Sequence, residues 1–245
     1  MNAFGSLKAK LRRRLLISYA IDPAVAVRLL PRPFRPQLVD GRAVGGFCVI
    51  GMRSVRPGWL TPPVGIRTEN AARRIAVEWD DGERSRSGVY IFERHSSSLL
   101  PVLAGGRLFP GVQRHASFKL EETATRFRVE MDARDTYALA DVELSQDWSS
   151  QLFPTVHAAS DFYRNGTIGW SPRRDGRSAE RIELSSSTWA VQPGRINEIR
   201  SSFFDSLPSS AAELDSVVIM RDLPLVLRSP RSAALKGGER RLVDA

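Results

Sequence analysis

The chain has one cysteine in 245 residues, Cys48, which excludes an intramolecular disulfide and a cluster of thiolate metal ligands. Cys48 sits in the apolar run Gly46-Phe47-Cys48-Val49-Ile50, the setting of a small buried hydrophobe more than of a nucleophile. Histidine is nearly as scarce. His95, His115 and His157 lie far apart and lack HExxH-type spacing, so no metal and no cofactor is expected. Long apolar runs are missing too. A membrane-spanning helix needs ~20 apolar residues, and the longest run near the start, Leu15 to Ile21, is short and holds Ser18 and Tyr19. That shortness, with no small-residue cleavage site after it, also argues against a secretory signal. The first 21 residues are basic and free of acids, a composition shared with transit peptides, but they read better as the start of the fold. The expected location is cytoplasmic, with no membrane partner.

Lysine is rare where arginine is not: Lys8, Lys10, Lys119 and Lys236 are four of 36 basic residues. Such an arginine excess reflects genome composition more than a chosen partner. The net charge of +9 is scattered, apart from Lys8 to Arg14 and the tail Arg228 to Arg241. No zinc-finger, RRM or helix-turn-helix pattern accompanies it, so nucleic acid is kept only as a lesser alternative partner. No GxSxG elbow is present, Gly105-Gly106 does not complete a dinucleotide fingerprint, and Asp80-Asp81-Gly82-Glu83 reads as a turn rather than a calcium loop.

What is present is an ordinary globular composition, 42% hydrophobic and 26% charged. Neither an internal repeat nor a linker divides the chain, so one domain over 1–245 is expected, with its core at about 11–228 and a loose basic tail after it. Strands are predicted at Arg14–Tyr19, Gly46–Val55, Arg74–Trp79, Gly88–Glu93, Val112–Leu120, Thr125–Met131 and Tyr137–Leu144. Asp22-Pro23 gives an N-cap and a first-turn proline to a short helix through Leu30, stopped by Pro31 and Pro33. A second helix is predicted from Ser96–Ser98 through Leu103 and a third over Val156–Tyr163. Thr167–Ser171 and Arg181–Leu184 flank Asp175-Gly176 as a hairpin. Further strands are read at Trp189–Val191 and Ser216–Met220. The fold class is α+β, an antiparallel sheet or barrel with a few short helices.

Four stretches, taken in order, resemble the acetoacetate decarboxylase-like superfamily and its uncharacterised branch. They are Arg12 to Tyr19 with Ile21-Asp22-Pro23 and Leu29 to Phe34; Arg67-Thr68-Glu69-Asn70 with Ser87 to Phe92; Gly105 to Pro110; and Phe162-Tyr163-Arg164 through Trp170 to Trp189-Ala190-Val191-Gln192-Pro193. The resemblance implies a cone-shaped barrel around a small-molecule pocket, though a barrel of that size can also be plugged by side chains.

The superfamily decarboxylates 3-oxo acids through a lysine kept neutral by a neighbouring lysine, placed directly after a Phe/Tyr-Pro step. Here Phe109-Pro110 is followed by Gly111-Val112, and neither can form a Schiff base. Lys119 lies eight residues past Gly111, ~26 Å along a strand, and reads as an ordinary strand residue. Arg12 matches the family's arginine near the substrate carboxylate, and Glu69 its pocket glutamate, a candidate general acid or base. The plainer alternatives are one arginine in a run of three, and a loop carboxylate paired with Arg67 or Arg73. Asn70 and Arg73 ride on the same segment as candidate ligand-binding residues. Two further candidate ligand-binding residues are Arg107, which precedes the altered step and could partly replace the lost positive charge, and His115, which falls an even number of residues from Gly111 and so could share the pocket face; the plainer readings are a surface arginine and a structural histidine.

The implied function is a pocket for a small organic acid without Schiff-base decarboxylation, with any reaction a lysine-independent lyase or hydrolase-type step. The alternatives are a plugged barrel with a structural or protein-interaction role, and a nucleic-acid-binding protein. A homo-oligomer is compatible with either.

Overall fold

The computed structural model describes residues 6–61, 65–99, 112–173 and 178–228, and the backbone of 234–236. The Asp175-Gly176 turn, the helix expected to run through Leu103, Arg107, the Phe109-Pro110 step and most of the basic tail lie outside these residues. The chain begins with β1 (Ser6–Ile21), α1 (Pro23–Leu29), β2 (Arg35–Pro36), β3 (Leu38–Val39) and β4 (Arg42–Pro57). It continues through β5 (Ile66–Asp80), β6 (Ser85–Ser96), β7 (Gln113–His115), β8 (Ser117–Glu122), β9 (Arg126–Ala133) and β10 (Thr136–Leu144). Then come α2 (Val156–Asn165), β11 (Ile168–Pro172), β12 (Ser178–Ser185), β13 (Gln192–Ser201), α3 (Ser202–Asp205), β14 (Ala212–Arg228) and β15 (Ala234–Lys236).

Local chemistry sets the element ends. The Asp22 carboxylate accepts from the Ala24 and Val25 amides at 2.7 and 3.3 Å, satisfying orphan donors of α1, while Pro23 occupies its first turn. Thr155 caps α2 through the Ala158 amide at 3.1 Å. Asp40 and Gly41, both at positive φ (47° and 74°), form the two-residue turn joining β3 to β4, where a primed turn matches the strand twist.

The strands run β15-β12-β11-β6-β5-β4-β1-β14-β13-β10-β9-β8 in one sheet, and β12 also pairs with β14. That extra pairing closes seven strands, β12, β11, β6, β5, β4, β1 and β14, into a ring. Strands β13, β10, β9 and β8 continue from β14 and give their side chains to a core shared with the ring's outer face, while the short β2, β3, β7 and β15 pair with β5, β4, β6 and β12.

This arrangement buries the central strands on both faces, which explains the apolar run in β1 where alternation would otherwise be expected. Leu15, Ile17, Tyr19 and Ile21 enter the outer core with Phe47, Ile75, Val129 and Ile219. Leu16 and Ala20 face the opposite way, with Val44, Cys48, Ala76 and Tyr163 of α2. Fully burying each such Leu or Ile contributes about 1.5–3 kcal/mol.

The strands are longer than the sequence reading gave. β5 begins at Ile66, so Thr68–Asn70 belong to a strand and not to a loop, and β13 follows the irregular Trp189–Val191 in place of a strand there. The polar, arginine-bearing ends of β1 and β5 hide this, because tertiary pairing holds in strand what local hydrophobicity does not mark.

Candidate functional site

The structure separates the expected site residues between the two faces of the sheet. A β-bulge sets Leu11 opposite Met52 but Arg13 opposite Gly51, leaving Arg12 as the extra residue. After this shift Leu11 and Arg14 face the ring interior side, while Arg13 joins Leu15 on the outer face. Arg13 is 1% exposed and donates to Glu69 Oε2 from both Nη1 and Nη2 at 2.8 Å. Its Nε lies 2.7 Å from Glu122 of β8, and the half-exposed Arg12 reaches the same carboxylate at 2.6 Å and Glu69 at 3.9 Å.

Glu69 is therefore held by Arg13 and Arg12, not by Arg67 or Arg73. Burial pushes its carboxyl above the usual range while the two arginines pull it back. Gly51 makes the pairing possible: a Cβ there would lie 2.2 Å from Arg13 Nη1 and 3.1 Å from Glu69 Oε2. These four charges tie β1 and β5 to β8 at the far end of the sheet path.

Asn70, next to Glu69, turns to the opposite face and lines a cavity of about 140 Å³ inside the strand ring. Arg73 lies on the outer side with its guanidinium 3.9 Å from the Phe203 ring centroid and 4.0 Å from Glu93. It borders a second, water-sized space of about 20 Å³. His115 ends the three-residue β7 in an exposed position outside the lining of the 140 Å³ cavity, which Gln113 joins from the same strand. Lys8, Lys10 and Lys119 are exposed and line neither space.

Each of the seven ring strands contributes to the wall of the larger cavity. Arg14, Arg74 and Arg94 bring three guanidiniums to it, and no Asp or Glu lines it among the described residues. Ile91, Ile182, Leu184, Leu225 and Leu227 supply apolar wall, and Tyr163 with Gly166 and Thr167 brings the C-terminal end of α2 against it.

Burial together with the nearby Arg74 charge draws the Arg14 pKa down despite the help of neighbouring Cys48. Burial draws Arg94 down to about 10. The Arg74 guanidinium lies 5.3 Å from the Tyr163 ring centroid, and the Tyr163 hydroxyl, in close contact with Ser18 Oγ, is pushed up by burial. The Nε atoms of Arg14 and Arg74 are buried without a hydrogen-bond partner among the described residues.

His95, 4% exposed, borders both spaces, with Nε2 3.7 Å from Glu93 Oε1. Burial lowers its pKa, Arg114 and Arg73 add to that, and Glu93 opposes it. No grouping of three or more His, Cys, Asp or Glu side chains suited to a metal occurs among the described residues. No helix among them is long and apolar enough to cross a membrane.

Sequence reasoning named Asn70 but not Arg14, Arg74, Arg94, Tyr163 or His95 as cavity residues. One signal was available: Ala72 and Ala76 flank Arg74 on its own face of β5, and small neighbours leave room for a long side chain to turn inward.

The fold has counterparts among solved structures. An acetoacetate decarboxylase-like enzyme from Sphingomonas wittichii RW1 superposes with a TM-score of 0.62 at 15% identity, over 97% of this chain and 96% of that one. Acetoacetate decarboxylase from Legionella pneumophila gives 0.55 at 15% identity, over 95% and 88%. The enduracididine biosynthesis enzyme MppR complexed with pyruvate gives 0.50 at 15% identity, over 94% and 89%. No curated protein sequence matches the chain. The sequence profile of the DUF2071 family, described as uncharacterized conserved proteins, matches residues 8–232. With nearly the whole ring and both its cores inside that match, the chain belongs to the DUF2071 family and has an acetoacetate decarboxylase-like fold.

Proposed function

We propose that the ring cavity binds a small organic acid through its Arg14 and Arg74 guanidiniums, and that no Schiff-base step takes place there. The observation that carries this reading is the buried Arg74 and the half-buried Arg14, whose buried Nε donors have no partner among the described residues, in a cavity without an acidic side chain among them. Keeping such charge from water is costly unless an anion compensates it. A guanidinium matches a carboxylate with two parallel hydrogen bonds. An open space of about 140 Å³ favours this reading over a plugged ring, since a cavity of about 150 Å³ holds a benzene-sized molecule.

Against Schiff-base chemistry stand Gly111-Val112 in the place of the family's lysine pair and the exposed positions of Lys8, Lys10 and Lys119. The MppR complex with pyruvate shows that a protein of similar fold takes a small oxo acid. Besides its arginines, the titratable side chains lining this cavity are Cys48, His95 and Tyr163. Glu69 is held on the other face by Arg13.

Thermal unfolding of the full chain against a panel of small carboxylic and oxo acids tests the proposal. A ligand at a hundred times its Kd adds ~2.7 kcal/mol, a rise of roughly 5–10 °C in the midpoint at this chain length. The rise is expected to vanish in Arg14→Met and Arg74→Met. Borohydride added with a 3-oxo acid is expected to leave the protein's mass unchanged. A panel without any shift would remove the acid reading, and a stoichiometric reduced adduct on lysine would remove the chemical one.

A further inference from the structure

The ring cavity holds its charges in a pattern that specifies more than one carboxylate. Arg14 pairs with Ile50 of β4, Ile50 pairs with Asn70 of β5, and Arg74 lies four residues beyond Asn70 on that strand. Two strand spacings of ~4.8 Å and four residues at ~3.3 Å put the two α-carbons on the order of 16 Å apart along the sheet. Both side chains line the cavity, Arg14 beside Cys48 of β4 and Arg74 over the Tyr163 ring at the end of α2.

A monoanion would leave one of these two charges uncompensated, because no Asp or Glu lines the cavity among the described residues. Between the two anchors the wall is formed by Ile50, Cys48 and Ala72.

We infer that the ligand is a small dicarboxylate, one carboxylate on Arg14 and the other on Arg74, with its methylene chain along Ile50 and Ala72. This rests on the acid-binding reading above and narrows it to a class. The volume limits the chain. Since about 150 Å³ accommodates benzene, about 140 Å³ suits a diacid of three to five carbons. A phosphate monoester carries the same charge on one centre, which two α-carbons on the order of 16 Å apart along the sheet disfavour.

Calorimetric titration of the full-length protein with butanoate, butanedioate, pentanedioate and inorganic phosphate, at constant ionic strength and pH 7.5, separates the possibilities. Butanedioate or pentanedioate is expected to bind at least about tenfold tighter than butanoate, one added charge-assisted contact being worth that much or more. Arg14→Met and Arg74→Met, checked for folding by circular dichroism, are each expected to bring the diacid down to the affinity of butanoate.

Because the diacid-to-monoacid ratio is read on the unaltered protein, the inference stays testable if either variant does not fold. Butanoate binding as tightly as both diacids would overturn the two-carboxylate inference and leave the acid-binding reading intact. Phosphate binding tighter than every carboxylate would overturn it in favour of a single-centre dianion. Absence of binding by all four would remove both.

Discussion

Arg13 and Arg14 are neighbours in the chain and have opposite surroundings. One is closed into a four-charge cluster with Glu69 and Glu122, the other faces a cavity without acids among the described residues. His95 is the residue whose burial bears most directly on solution behaviour. Its imidazole is 4% exposed and faces Glu93 on its own strand, Arg73 on β5 and Arg114 on β7. Burial is the largest cause of a pKa below the usual 6.5. The unfolded chain therefore binds this proton more readily than the folded one. Stability associated with neutral His95 is complete above about pH 6.5 and declines as pH falls from there through the lower folded value. Urea midpoints between pH 7.5 and 5.5 are expected to drop less in His95→Gln than in the unaltered chain. An equal drop would assign the acid sensitivity elsewhere.

Among the elements, the bulge in β1 decides most, because one inserted residue sends every later side chain to the other face. Its consequence is carried by Gly51, whose missing Cβ leaves the space used by Arg13 and Glu69. Gly51→Ala forces the buried guanidinium off its carboxylate, and overpacking of this kind costs about 1–3 kcal/mol. A lowered urea midpoint with an unchanged slope is the expected result. An unchanged midpoint would mean that the cluster shifts without loss.

Helices α1 and α2 were legible from sequence because their signals are local: Asp22-Pro23 fixes the start of α1, and Val156 opens α2; the four-residue α3 was not. Strand cores at Gly46–Val55, Arg74–Trp79 and Tyr137–Leu144 were legible from their apolar content. The stretches of β1 before Arg14 and of β5 before Arg74, which carry Arg12, Arg13, Glu69 and Asn70, were not. Arg12 matched the family position, yet the bulge gave the buried place to Arg13, and no local pattern marks a bulge between two arginines.

For the molecule as a whole, the ring depends on the pairing of β12 with β14 through Glu183–Arg228, Leu184–Leu227 and Ser185–Val226. That contact is short beside the pairing of β1 with β14, which runs from Ser6 to Ile21. Local opening follows the least-supported contacts, so amides of residues 183–185 are expected to exchange faster than those of 15–17. Ile182, Leu184 and Leu227 line the cavity, so a bound acid should slow exchange at this seam. Equal protection of seam and core, or a seam unaffected by a binding acid, would count against this description.

By itself the sequence determined the α+β class, the two capped helices, the absence of a lysine pair after Phe109-Pro110 and the family resemblance. Each is a property of residue identity or of a few neighbours along the chain. Which arginines share a cavity was decided only by the tertiary structure. Arg14, Arg74 and Arg94 come together because strands distant in sequence pair into a ring, and the faces they present depend on a register that includes one bulge in β1 and another irregularity between β5 and β6. A register shift of one residue reverses the face of a side chain without changing the sequence, and so the site had to come from the pairing.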